Sequence, residues 1–332
     1  AATEDPKIAV KGTRVLGDDP RIDREKTLSI SSVQGAVNGT VALVGGNVVF
    51  TPAANYNGPA SFTYTVSDGN GGTSTATVTV NVAAVNDAPV AQAASFTVAE
   101  DAAVVNGAVT ATDVDAGSTL SFALNGAAPA GLTFNADGSY SFNPGNAAYQ
   151  SLGVGQSTVI TVPYTVTDNA GATSTANLVI TVTGTNDAPV AQAASFTVAE
   201  DAAVVNGSVI ATDVDAGATL SYVLNGAAPA GLTFNSNGSY SFNPANAAYQ
   251  SLGVGHQTVI TAPYAMSANA GATSTANLVI TVTGTNDAPV ANANTVAATE
   301  DNALTIAPAT LLGNDTDIDS GTTLSITSVQ GA

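Results

Sequence analysis

The sequence contains no cysteine and no tryptophan, and only one histidine and one methionine among its 332 residues. Without cysteine there is neither a disulfide framework nor thiolate chemistry, so the composition leaves the redox compartment open. Nucleophilic triads and zinc sites are also hard to assemble, because both rely on histidine or cysteine. We therefore expect that the protein is not an enzyme.

Basic residues are confined to the N-terminal end of the chain. All six lysines and arginines precede residue 27, where six acids balance them. The remaining 332 − 26 = 306 residues hold the other 25 − 6 = 19 acids and no lysine or arginine. So anionic a surface makes nucleic acid and anionic membranes poor partners and multivalent cations good ones.

Long apolar segments are absent as well. No apolar run approaches the roughly 20 residues of a membrane-spanning helix, and no signal peptide is recognisable. We therefore expect no membrane insertion and interpret the sequence as a soluble internal segment or a processed product.

What the chain does contain is a tandem repeat. The six residues Asn86 to Ala91 recur letter for letter at Asn186 to Ala191 and at Asn286 to Ala291, a spacing of 100 residues. Two long copies, 86–185 and 186–285, differ at only 15 of 100 aligned positions. We call them the first copy and the second copy.

A second register relates the two ends of the chain. Residues 1–36 align without a gap with residues 297–332. Because a repeat unit fixes domain boundaries, we predict three complete domains and one incomplete domain. They are 1–85, 86–185, 186–285 and the first part of a further domain at 286–332.

Alternating apolar and polar residues predict β-strands along the chain. Phe62, Tyr64 and Val66 alternate with Ser and Thr before a Gly/Asn-rich turn, and a second alternating run ends at Val82. Two such runs around a turn are typical of an antiparallel hairpin with one buried face. Both copies repeat this ending and add short alternating runs. About seven strands per copy predict an all-β fold of immunoglobulin-type sandwiches.

Acidic residues recur at fixed places in each copy. Clustered carboxylates without basic partners repel one another, and Ca²⁺ neutralises such groups with about six to eight oxygen ligands. Solubilising acids in turns are the alternative interpretation, but recurrence of the whole set beside each linker favours calcium. In the first copy the set is Glu100-Asp101, Asp113-Val114-Asp115, Asp168 and Asn186-Asp187.

The order of these residues resembles a known pattern. An early Glu, an Asp-x-Asp, a late Asp and an Asn-Asp-x-x-Pro linker look like the cadherin arrangement. The chain is more similar still to bacterial cadherin-like and VCBS repeats of large surface adhesins secreted by type I systems. The likeness covers essentially the whole chain, and it implies an elongated array of cadherin-like β-sandwiches with calcium between consecutive domains.

The resemblance also implies calcium ligands at three junctions. Ala268 replaces the late Asp at the second junction, so we expect weaker calcium binding there than at the first. The first junction would use Glu4, Asn86, Asp87, Asp113, Asp115 and Asp168; the second Glu100, Asn186, Asp187, Asp213 and Asp215; the third Glu200, Asn286, Asp287, Asp317 and Asp319.

These features predict a structural function. The protein would be the extender of an extracellular adhesin or biofilm-matrix protein at the bacterial cell surface, a calcium-stiffened rod whose repeats have their neighbours as partners. Two alternatives remain open. Loops of the sandwiches could bind surface glycans or another partner, although few aromatic residues are available for a binding groove. The unfinished segment 286–332 also fits a self-assembling filament, in which another copy of the chain supplies the missing strands.

Overall fold

The computed structural model describes residues 8–10 and 28–330, with side chains from residue 28 onward. These residues fall into two compact units. Those of the first unit lie within Ala1–Val98, Ala102–Asn146 and Thr158–Val182. Those of the second lie within Ala99–Asp101, Ala147–Ser157 and Thr183–Ala332.

Six strands in two sheets form the N-terminal part of the first unit. The sheets have the strand orders β1-β4-β3 and β2-β5-β6. The predicted hairpin is β5 with β6, whose antiparallel register pairs Phe62 with Val78. Val48, Phe50 and Phe62 are fully buried in the core. The strands are β1 (Ile8–Val10), β2 (Ser29–Val37), β3 (Gly39–Val44), β4 (Asn47–Pro52), β5 (Gly58–Ser67) and β6 (Thr73–Val82).

The two 100-residue copies have the same strands. Each has nine strands rather than about seven, because pairs of two-residue strands add to the count: β7 with β10, and β16 with β19. The first copy contains β7 (Val90–Ala91), β8 (Ala94–Ala99), β9 (Val105–Ala108), β10 (Ala111–Thr112), β11 (Ser121–Leu124), β12 (Leu132–Phe134), β13 (Ser139–Phe142), β14 (Ser157–Thr167) and β15 (Thr173–Thr183). The second contains β16 (Val190–Ala191), β17 (Ala194–Ala199), β18 (Val205–Ser208), β19 (Ala211–Thr212), β20 (Leu220–Leu224), β21 (Leu232–Phe234), β22 (Ser239–Phe242), β23 (Gln257–Ala268) and β24 (Thr273–Thr283).

Each copy is a sandwich of a four-stranded and a three-stranded sheet. In the second copy the sheet orders are β17-β24-β23-β20 and β18-β22-β21, and the first copy has the corresponding orders β11-β14-β15-β8 and β12-β13-β9. Strand β17 pairs in parallel with β24, whereas β23 pairs antiparallel with both of its neighbours. Phe242 from the smaller sheet and Tyr264, Leu278 and Ile280 from the larger one form a single core. The burial alternates along β23 and β24 as the sequence predicts.

The C-terminal segment has little regular structure within its described residues. It contains one short helix, α1 (Pro308–Leu312), and a single bridge between Val290 and Thr316. Among the residues that the structure describes, no helix is long and apolar enough to span a membrane.

Gly131 shows how closely the turns of the first copy are packed. Its φ is +75°, and a Cβ added there would lie 2.4 Å from the Asn143 carbonyl oxygen, a backbone atom that cannot move aside. Gly131→Ala should therefore lower the free energy of unfolding by about 2–3 kcal/mol. Gly171, with a φ of +93° and open space around it, is the matched control. Chemical denaturation should show a smaller loss for Gly171→Ala, and equal losses would contradict the packing argument.

Candidate metal centre

Three clusters of acidic and amide side chains form around the Asn-Asp linkers. The first cluster lies within the first compact unit, and the second and third lie within the second unit. They consist of Asn86, Asp87, Asp113, Asp115 and Asp168; Glu100, Asn186, Asp187, Asp213 and Asp215; and Glu200, Asn286, Asp287, Asp317 and Asp319.

The same two hydrogen bonds build all three clusters. In the second, the Asp187 N–H donates to Asp215 Oδ2 at 3.0 Å, and the Asp215 N–H donates to Asp213 Oδ1 at 3.0 Å. The equivalent bonds measure 2.8 and 2.9 Å in the first cluster and 3.0 and 2.9 Å in the third. Each linker is therefore joined to the Asp-x-Asp loop that follows it through carboxylate oxygens.

Glu100 brings a further carboxylate into the second cluster. Its side chain is fully buried, and its Oε1 accepts the Thr185 N–H at 2.9 Å. Glu100, Asp187 and Asp215 each place a carboxylate oxygen within 4.8 Å of the other two. In the third cluster Glu200, Asp287 and Asp319 form the same group. Each group combines an acid that precedes the linker, an acid of the linker and an acid of the next repeat.

The first cluster differs within the described residues. No such group of three acids forms there among residues 28–330. The predicted ligand Glu4, which corresponds to Glu100 and Glu200 in the repeat, lies outside the described residues.

Two features that the predicted ligands of the second junction leave out close the second cluster. Asp101 accepts the Thr185 hydroxyl at 2.5 Å, so it adds a charge next to Glu100. A loop before β14 packs on the linker, because a Cβ at Gly184 would lie 2.1 Å from the Leu152 carbonyl oxygen. The glycine that precedes each Thr-Asn-Asp linker was the available signal, but it does not reveal which backbone approaches it.

The third cluster is closed by the equivalent loop, with one change. The Ser320 N–H donates to the Ser251 carbonyl at 3.1 Å. His256 replaces Gln156 of the first copy and lines a cavity of about 250 Å³ together with Asn286 and Asp319. The single histidine of the sequence therefore lies beside an acidic cluster.

Burial and repulsion raise the pKa of carboxyls in the second and third clusters. Burial is the main cause of the raised pKa of Glu100; Asp101 and Asp187 add repulsion, against the lowering effect of the N–H groups of Thr185 and Leu152. Burial also raises the pKa of Asp187, and the repulsion that adds to it comes from Asp101, Asp215 and Asp213. Asp287 has a raised pKa for the same reasons. The negative charge of these groups is therefore disfavoured as long as no cation balances it.

Asp168 in the first cluster shows the opposite behaviour. Its pKa is lowered, chiefly by the Asn86 amide, which donates to Oδ2 at 2.7 Å. The N–H groups of Ala170 and Ala172 donate to its Oδ1 at 2.9 and 2.8 Å. Protein donors therefore satisfy this carboxylate. Ala268 at the equivalent position of the second copy offers no such acceptor.

Buried oxygens without hydrogen-bond donors show that the second and third clusters fit a cation. A buried acceptor without a partner is costly, and more so when it is charged, whereas hard cations take oxygen ligands of these kinds. In the second cluster these atoms are Glu100 Oε2, Asn186 Oδ1, Asp187 Oδ2, Asp213 Oδ2 and Asp215 Oδ1, and in the third they are Asp287 Oδ2 and Asp319 Oδ1.

Family profiles match the chain along its length. The profile described as a bacterial cadherin-like domain matches residues 86–184 and 186–284. The chain belongs to the bacterial cadherin-like family. A second profile, described as a cadherin-like domain, matches residues 1–83 and 285–332. The predicted tandem cadherin-like repeats are thereby confirmed, and cadherin-like domains are an adhesion and structural fold rather than an enzyme family.

Solved structures of cadherin domains are similar to this cadherin-like chain. PcdhgB3 EC1-4 is 16% identical, with 78% of this chain and 67% of that chain covered and a TM-score of 0.50. Mouse cadherin-23 EC22-24 is 19% identical over 79% and 88% of the two chains, with a TM-score of 0.49. At this identity the likeness to PcdhgB3 EC1-4 shows the fold alone, and it agrees with the predicted all-β class. No curated protein matches the chain.

Without metal ions, the stability of the cadherin-like repeats should fall as the pH rises from about 4 to neutrality. The raised pKa values of Glu100, Asp187 and Asp287 mean that the folded state binds protons more tightly than the unfolded state. Their favourable contribution is present below the ordinary carboxyl pKa and is lost as the pH rises through the folded value. The lowered pKa of Asp168 acts only in more acid solution. Melting temperatures in metal-free buffers test this, and a flat profile across the range would contradict it.

Proposed function

We propose that this chain is an extender segment of an extracellular bacterial adhesin or biofilm-matrix protein, in which Ca²⁺ at the junctions rigidifies a rod of cadherin-like domains. The observation that carries the proposal is the second cluster. It gathers five buried oxygens without donors from one repeat, the linker and the start of the next repeat. A cation bound there would convert mutual repulsion into attraction to a shared ion.

In this proposal the ligands come from all three clusters and Glu4, and the domains are 1–85, 86–185, 186–285 and the first part of another at 286–332. Each ion ties the preceding repeat to the following one, as Glu100 and Asp215 would be tied through Asp187. A location outside the cell suits such sites, since extracellular calcium modules have dissociation constants of about 10⁻⁴–10⁻³ M.

The described residues offer no observation that favours a glycan-binding role. All nine Tyr and nine Phe of the chain lie between residues 28 and 330, and none of them is exposed. Ligand grooves are lined predominantly by apolar and aromatic side chains. The aromatic rings of this chain instead pack in the sandwich cores, as Phe196 does against Tyr240 and Phe242.

Calcium should raise both the melting temperature and the radius of gyration of the full chain. A ligand that binds only the folded state adds about 2.7 kcal/mol per site at 100 times its dissociation constant. Thermal unfolding and X-ray scattering, each recorded with calcium and then with excess chelator, measure the two effects. If chelation changes neither quantity, the proposed function is wrong.

Glu100→Gln should have opposite effects with and without calcium. In metal-free buffer it removes one buried charge from a repelling group, so the melting temperature should rise. In saturating calcium it removes a charged ligand, so calcium should stabilise the variant less than the wild type. Asp137→Asn is the matched control: it removes one charge from an exposed turn outside the clusters, where the second copy already has Asn237. A control that behaves like Glu100→Gln would point to net charge alone.

Ala268→Asp should raise calcium affinity at the second junction. The loop there closes with the same backbone hydrogen bonds as the Asp168 loop, so the N–H groups of Ala270 and Ala272 are placed to donate to one oxygen of the new carboxylate, as those of Ala170 and Ala172 do to Asp168 Oδ1. The added side chain supplies a charge and an oxygen that the second cluster lacks. Calorimetric titration measures the affinity, with Asn237→Asp as a control that adds the same charge in an exposed turn. No gain over that control would contradict the expectation.

A further inference from the structure

We propose that the residue five positions after the first Asp of the Asp-x-Asp loop tunes the calcium affinity of its junction: the hydroxyl of Ser118 weakens calcium binding at the first junction, and Ala218, which has no hydroxyl, strengthens it at the second. This effect is separate from the loss of a carboxylate at Ala268 and opposes it. The inference rests on the proposed calcium sites. It goes further, because it concerns a side chain that controls a ligand without being one.

The hydroxyl of Ser118 donates a hydrogen bond to a carboxylate oxygen of the first cluster. Asp113 Oδ1 accepts the Asp115 N–H at 2.9 Å, and Asp113 Oδ2 accepts the Ser118 hydroxyl at 2.7 Å. Both oxygens of this predicted ligand therefore already have donors from the protein.

The corresponding oxygen of the second cluster has no donor. Asp213 Oδ1 accepts the Asp215 N–H at 3.0 Å, but Asp213 Oδ2 is buried without a hydrogen-bond partner. In the same cluster, the fully buried Glu100 and the nearly buried Asp215 also have oxygens without hydrogen-bond partners. Asp213 Oδ2 in the second cluster is thus shielded from water and has no hydrogen bond from the protein in its place.

A single substitution accounts for the difference. Residues 111–121 and 211–221 are identical except that Ser118 is replaced by Ala218. The two loops share their backbone: Gly117 and Gly217 both have a φ of +83°, and residues 118 and 218 both donate their N–H to the second Asp at 3.2 Å. The hydroxyl of residue 118 therefore decides whether Oδ2 of the first Asp in the loop has a hydrogen-bond donor.

The physical cause is competition for one lone pair and its charge. A hydroxyl that donates to a carboxylate forms a short, charge-assisted hydrogen bond, and a cation that uses the same oxygen has to share it or displace the donor. At Asp213 no donor has to be displaced. Binding there also removes the cost of an unpartnered buried charge, which makes the oxygen a better ligand.

A reciprocal exchange in the full chain tests the inference. Ser118→Ala is measured with the second and third junctions disabled by Asp187→Asn, Asp215→Asn, Asp287→Asn and Asp319→Asn. Ala218→Ser is measured with the first and third junctions disabled by Asp87→Asn, Asp115→Asn, Asp287→Asn and Asp319→Asn. Isothermal titration with CaCl₂ gives the affinity and ion count, and metal-free thermal unfolding confirms that each variant folds. Each new residue occurs naturally in the same loop of the other copy.

We expect Ser118→Ala to raise the calcium affinity of the first junction roughly tenfold to a hundredfold, and Ala218→Ser to lower that of the second by a similar factor, as the loss or gain of one charge-assisted hydrogen bond implies. Ser139→Ala is the control. It removes a hydroxyl that donates to Asp137 at 2.6 Å in an exposed turn outside the clusters, and it should leave the affinity unchanged.

The outcomes separate this inference from the proposed function. If neither parent junction binds calcium, the proposed function fails and the inference with it. If both bind calcium with affinities that the exchange does not alter, the inference is wrong and the proposed function stands. A lower affinity in Ser118→Ala would show that the hydroxyl is itself a ligand, which also overturns the inference.

Discussion

Repulsion between buried carboxylates is the constraint on which the junctions of this chain depend. The last 306 residues contain no lysine or arginine, so neither residue type is available there to neutralise Glu100 or Glu200, both fully buried. Uncompensated buried charge is strongly unfavourable. The sandwich cores, in contrast, consist of apolar and aromatic side chains. Different interactions therefore dominate in the two places: burial of apolar side chains stabilises each repeat, and electrostatic repulsion dominates at the junctions between consecutive repeats.

The sheet topology explains why Glu200 reaches the linker. Strand β17 pairs in parallel with β24, and the register matches Ala199 with Thr283, the last residue of each strand. Two parallel strands that end side by side release the chain at the same edge of the sheet. Glu200, directly after β17, therefore meets the linker that follows β24, and its Oε1 accepts the Thr285 N–H at 2.8 Å. An antiparallel pair would have placed the two at opposite ends.

Comparison of the two nearly identical copies shows which substitutions fall in the core and which fall in the acidic clusters. Phe122 and Tyr222 occupy equivalent positions in the two copies. Their rings pack on Tyr164 and Tyr264, which lie on the neighbouring strand of the same sheet. The exchange of Asp168 for Ala268 and that of Ser118 for Ala218 change the donors and acceptors of the clusters instead. Within one fold, such exchanges alter the electrostatics of a junction and leave the sandwich unchanged.

The sequence by itself determined the period of the repeat, the all-β class, the hairpin of β5 and β6 and the set of acids to consider. Local periodicity is sufficient for these, because alternation along a strand reports which side chains face the core. It overlooked the two-residue strands, whose runs are too short to alternate. Tertiary structure alone decided that Glu100 meets Asp187 and Asp215, since that meeting depends on which strands pair and in which direction. It also decided which carboxylate oxygens have donors, because a hydrogen bond such as that of Ser118 depends on distances between atoms that residue order does not specify.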